Sequence, residues 1–180
     1  LPNIFTELGK AGYATSMIGK CHFAPVPYDE TKPDRTLPYD DFKEYYMSLG
    51  IDHLELQDDK QVSVWYYDDY SKELDRAGYL KEYRDCTWND SLGKVFPFPG
   101  PVQWHPDAWV GDHGAHFIEA VSSGEKPQFT WISFSGPHYP FDAPQEYYGR
   151  VNQDGLPSCR RREGELEDAA RIHHDSYFGG

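Results

Sequence analysis

Ile4, Phe5 and Leu8 fall on one helical face, and Gly12 stands where a helix C-terminal glycine belongs. Residues 13–18 then run as a short apolar segment of the kind a buried strand needs, closed by the turn-prone Gly19. A helix leading directly into a strand is a building unit of α/β folds. The period weakens over residues 25–107, where Pro, Asp and Tyr are frequent; one helix is predicted there, over residues 69–77, closed by Gly78. Order returns with Trp109, Phe117, Ile118 and Val121 at helical spacing, which predicts a helix over residues 106–122 ended by Gly124 and Pro127. Residues 128–134 read as a strand. Phe129, Trp131 and Ser133 alternate with Thr130, Ile132 and Phe134, a composition compatible with burial on both faces. A last helix is predicted over residues 164–177.

These elements predict an α/β class with a largely parallel sheet flanked by helices. Residues 1–24 and 106–180 would supply the core elements, and residues 25–105 an irregular, aromatic-rich surface insertion. Composition narrows the picture. In 180 residues, aromatics reach 16% and hydrophobic residues 38%, which fits a folded domain with a modest core rather than a disordered chain. The formal charge of -13 argues against a broad nucleic-acid footprint, although a local cationic pocket can sit inside an acidic surface. No apolar run has the length of a membrane span. Three scattered cysteines, Cys21, Cys86 and Cys159, form neither an even disulfide set nor a CxxC pair. The chain begins at Leu1 without Met and ends at Gly180, and both ends read as cut from a longer polypeptide.

Two segments carry candidate chemistry. In Gly19-Lys20-Cys21-His22 an extended backbone sends Lys20 and His22 to one side and Cys21 to the other. An ammonium and an imidazole at a strand end can hold a tetrahedral oxyanion, and the imidazole can also move a proton. By spacing alone, a solvated lysine and a loop histidine fit better, because such triplets are common. Ser135-Gly136-Pro137-His138-Tyr139-Pro140 follows the second strand, where ligands gather in open α/β sheets, and Pro140 stiffens the approach to His138. A loop histidine that only caps backbone groups remains open there.

Together these segments resemble the type I sulfatase family of the alkaline phosphatase superfamily. The likeness runs through residues 8–15 and Gly19-Lys20-Cys21-His22-Phe23. It resumes at Asp112, Ala115, Phe117 and Ile118, and continues through residues 126–129, residues 133–141, and Pro144, Glu146 and Tyr147. It implies a partial alkaline-phosphatase-like fold. Lys20 would bind sulfate oxygens and a hydrated formylglycine, His22 would hydrogen-bond that residue and help it expel sulfate, and His138 would bind sulfate near the leaving-group oxygen. The resemblance also implies a divalent cation, usually calcium, and a formylglycine made from Cys or Ser in a C/S-x-P-x-R motif. No such motif occurs in the chain, so the nucleophile and the cation's ligands are expected elsewhere in the polypeptide, with a sulfate ester as substrate and the remainder of that polypeptide as partner. The chain alone is then expected to be inactive. A phosphonate or phosphodiester hydrolase of the same superfamily, and a non-catalytic anion- or carbohydrate-binding domain, are the alternatives.

Other constellations read as structural. Asp112, His113 and His116 could chelate at i, i+4 spacing, but they fall within the predicted helix. His173-His174-Asp175 and the charge run at residues 160–167 read as solvated faces, and Asp58-Asp59 and Asp68-Asp69 lack the rest of a calcium loop. Cys21 and Cys159 lack the flanking partners of a reactive thiol.

Overall fold

The computed structural model describes residues 2–21, 40–60, 67–90, 95–158, 160 and 164. It divides into two units, residues 1–148 and 149–180. The helix predicted over residues 164–177 lies outside the described residues. In the second unit a 3-10 turn spans Gln153–Gly155 among exposed neighbours.

In the first unit, helix α1 (Ile4–Lys10) opens on Asn3, whose side chain accepts from the Thr6 amide, and strand β1 (Ala14–Gly19) follows within one turn. Helix α2 (Asp40–Ser48) leads to strand β2 (His53–Leu56). Helices α3 (Asp69–Arg76) and α4 (Leu80–Asp90) precede the short strand β3 (Val95–Pro97) and a 3-10 turn at Val102–Trp104. Helix α5 (Pro106–Val121), strand β4 (Gln128–Ser133) and strand β5 (Phe141–Ala143) complete the set.

The core sheet has the order β2-β1-β4, and both of its pairings are parallel. β1 is central and buried from Thr15 to Gly19, as a strand covered on both faces must be. One face packs Met17, Leu54 and Leu56 with Phe5 and Tyr46 of α1 and α2. A second core gathers Tyr70, Leu74, Leu80, Tyr83, Phe96, Phe98, Trp109 and Val110 from α3, α4, α5 and the β3 region, with Ile132 packed against it. A second sheet pairs β3 with β5, also in parallel. The mixed α/β class with parallel sheets and flanking helices agrees with a partial alkaline-phosphatase-like fold.

Three details depart from the sequence pattern. The stretch between the two motifs supplies β2, which pairs with β1 from Ser16 opposite His53 to Gly19 opposite Leu56. Its four residues are too short to show a period, and His53 and Glu55 break the apolar run. Helix α5 forms where expected, but its buried residues are Pro106, Trp109, Val110 and Gly114, while Ile118 is exposed. Gly114 has no side chain to register as apolar, yet it is where the helix meets Ile132 of β4. Finally, β4 is only partly buried, with Trp131 at 44% exposure, because it forms an edge of the three-stranded sheet. Among the described residues, no helix is long and apolar enough to cross a membrane.

Candidate anion-binding site

The adjacent strands β1 and β4 run parallel, so the residues that leave their C-terminal ends emerge side by side. The Lys20 amide donates to the Ser133 carbonyl over 2.8 Å, which ties the two ends together. Gly19 makes this approach possible. Its φ is +97°, a conformation that side-chain-bearing residues rarely adopt, and a Cβ there would overlap the Ser133 carbonyl oxygen.

Lys20 then turns its ammonium to Asp59, with Nζ 2.7 Å from Oδ2. The other oxygen of the same carboxylate, Oδ1, lies 3.4 Å from Nδ1 of His138. Lys20 and His138, 118 positions apart in the chain, are thus joined through one buried carboxylate. Nδ1 of His138 also lies 2.7 Å from the Tyr139 carbonyl oxygen, and the ring stacks on Tyr139 with centroids 4.4 Å apart. A carbonyl acceptor at Nδ1 selects the tautomer with its proton there and leaves Nε2 for a ligand. His22 lies outside the described residues.

The loop that carries His138 is anchored at both ends. At its start, Gly136 donates its amide to Asp107 Oδ1 over 2.8 Å, and a Cβ on Gly136 would overlap that carboxylate. At its end, Asp142 of β5 takes Lys60 Nζ at 2.7 Å and the Tyr83 hydroxyl at 3.0 Å. His105 Nε2 lies 3.5 Å from the same carboxylate. Lys60 also reaches to 3.8 Å from Asp107. Burial pushes the Asp142 carboxyl up, but His105 and Lys60 outweigh it and hold the group below its usual range. Lys60 and Asp142 are 3% and 0% exposed, so each depends on the other for the charge it keeps away from water.

Asp59 and Lys60 are the residues that the sequence pattern missed as parts of this site. The adjacent acidic pair Asp58-Asp59 was the one available signal, and it lacks the rest of a calcium loop. Lys60 carried no signal. Cys21, between Lys20 and His22 in sequence, is buried in the opposite core, where burial and the nearby Asp58 push its thiol well above the usual range. It is an inert packing residue.

The helix histidines sit elsewhere. His113 on α5 bridges two carboxylates: Nδ1 pairs with Glu55 Oε2 of β2, and Nε2 lies 3.4 Å from Glu73 Oε2 of α3. His53 Nε2 takes the other Glu55 oxygen at 2.7 Å. These groups line a cleft of about 360 Å³ beside β2, together with Lys43, Asp69 and Trp109. They are paired with one another, so the cleft reads as a polar seam between elements. His116 Nδ1 lies 3.4 Å from Asp112 Oδ2 on the exposed side of the same helix. Among the described residues, no group of three or more His, Cys, Asp or Glu is arranged to hold a metal ion.

Comparison with known proteins decides the family. The family model described as Sulfatase matches residues 1–163, most of the chain. The chain belongs to the sulfatase family. An arylsulfatase of Clostridium perfringens (strain 13 / Type A) is 27% identical over 157 residues, covering 86% of this chain. The chain spans 30% of that relative's length, so it corresponds to a segment of a sulfatase.

Proposed function

We propose that this sulfatase segment supplies the sulfate-binding cations of a sulfuric-ester hydrolase, with Lys20, His22 and His138 as the groups that hold the ester. The observation that carries this reading is the meeting of Lys20 and His138 on one carboxylate, 2.7 and 3.4 Å away, at the C-terminal ends of neighbouring parallel strands. An ammonium has three donors, and Asp59 is the Lys20 partner among the described residues, so further donors remain for sulfate oxygens. With Nδ1 turned to Tyr139 and Asp59, His138 offers Nε2 to an ester oxygen near the leaving group. Both groups stabilise negative charge that grows on oxygen as the S–O bond breaks.

The sequence has no C/S-x-P-x-R motif, and in this reading the calcium and formylglycine that sulfatase chemistry implies take their ligands and precursor from other residues of the polypeptide. This division of labour predicts binding without turnover. In equilibrium dialysis the 180-residue chain should retain an aryl sulfate, and with calcium added it should release no product. Multiple turnovers abolished by Lys20→Ala would contradict the division. Failure to retain the aryl sulfate would contradict the site itself.

A further inference from the structure

The loop between β4 and β5 carries His138, and it begins as a tight turn in which the His138 amide donates to the Ser135 carbonyl over 3.0 Å. Gly136 is the second residue of that turn. Its amide donates to Asp107 Oδ1 over 2.8 Å, and a Cβ on Gly136 would overlap the same carboxylate. Gly136 is not among the glycines with positive φ, so backbone conformation is not what requires a glycine there. The closeness of Asp107 is.

Asp107 has the setting of a fixed point. It is the second residue of α5, a helix whose Trp109 and Val110 are buried in the second core and whose Gly114 meets Ile132 of β4. A carboxylate in the first turn of a helix is favoured by the unpaired amides there. Asp107 Oδ2 lies 3.8 Å from the Lys60 ammonium, which also takes Asp142 at the far end of the loop, at 2.7 Å. The Lys60 side chain is 3% exposed, so this link between the two loop ends runs inside the protein.

We propose that Asp107 is a positioning residue: by holding the Gly136 amide it fixes the turn that ends on His138, and so sets where Nε2 of His138 meets an ester oxygen. The inference rests on the reading of His138 as part of the anion site, and it adds the group that places this histidine. Asp59 and the Tyr139 carbonyl orient the imidazole ring, whereas Asp107 orients the peptide chain that carries the ring. A loop held in place before binding spares the ligand the entropy of ordering it, so loss of this one bond is felt as weaker binding.

The test joins two measurements on the 180-residue chain: histidine ring resonances without ligand, and equilibrium dialysis with phenyl sulfate. Asp107→Ala should displace the His138 ring signals and leave those of His113, on the same helix, in place. It should weaken phenyl sulfate about fivefold, the net worth of one hydrogen bond. Asp107→Asn keeps an acceptor for the Gly136 amide and should restore most of the affinity and the His138 signals. In a His138→Ala background Asp107→Ala should cause no further loss, whereas general damage to the fold would weaken binding in both backgrounds. Gly136→Ala attacks the same contact from the loop side and should reproduce Asp107→Ala; it decides by the same criteria if the His113 signals show that Asp107→Ala disturbs the helix. His138 signals that stay still in these variants overturn the proposal whether or not an anion binds. Equal weakening with and without His138 also overturns it, as does binding that the variants leave unchanged, while the anion-site reading stands if Lys20→Ala still weakens binding. A chain that retains no phenyl sulfate removes the anion-site reading, and this inference with it.

Discussion

At the scale of single residues, Gly19 marks where strand becomes site. Its positive φ turns the chain out of β1, and the absence of a side chain lets the Lys20 amide reach the Ser133 carbonyl. Gly19→Ala would bring a strained backbone and a clash with main-chain atoms that cannot swing aside. The expected cost is at least ~2 kcal/mol of unfolding free energy, measured by urea denaturation. A loss below ~0.5 kcal/mol, within the ordinary range for surface substitutions, would mean that the strand end has another low-energy path. Lys20 and His138 were singled out through the family resemblance that their motifs carry, since by spacing alone a solvated lysine and a loop histidine fit as well or better. Asp59 and Lys60 were not, because what makes them matter is burial and partners 39 to 82 positions away, and neither can be read from their neighbours in the chain.

At the scale of elements, the seam of β2, α3 and α5 is held by charge as well as by apolar packing. Burial pushes the Glu55 carboxyl up, yet hydrogen bonds from His113 and His53 outweigh it and hold the group at about 2. Burial disfavours the charged His113 ring as well, but the bond to Glu55 outweighs this and raises it above its ordinary value. The signs follow from these directions. Glu55, depressed by folding, contributes stability above the usual carboxylate range and loses it as pH falls towards about 2. His113, raised by folding, contributes fully below the usual imidazole range and loses that stability as pH rises through its folded value. The pair is strongest in the interval between, around pH 5.5. Glu55→Gln should therefore lower Tm by about 3 °C near pH 5.5, and the loss should shrink as pH rises through the folded His113 value. A loss that stays the same across a pH series from 5.5 upward would show that the seam is held by shape alone. The helix surface that meets the sheet was hard to read for a related reason: His113, against Glu55 of β2, and Gly114, against Ile132 of β4, stand at contact positions where a hydrophobic period would look for larger apolar residues.

At the scale of the molecule, a three-stranded parallel sheet presents two loops at one end, and a dipeptide from the weakly patterned middle of the chain locks them. Asp59 joins the cations, and Lys60 ties down the loop that carries one of them through Asp142 and Asp107. The class of the fold was legible because β1, α5 and β4 are long and apolar enough to show their periods. The way in which the middle of the chain enters the site was not, since burial of charged residues leaves no hydrophobic signature. The exposed edge at β4, with Trp131 open to solvent, accords with a chain that spans 30% of its arylsulfatase relative. The central claim is that Lys20 and His138 act as one anion site, and it can be tested by following histidine ring resonances in an isotopically labelled chain as inorganic sulfate is added. The account predicts that the His138 ring signals shift and saturate, that those of His105 and His113 stay still, and that Lys20→Ala removes the His138 response. His138 signals that do not move, or that move undiminished in Lys20→Ala, would contradict it.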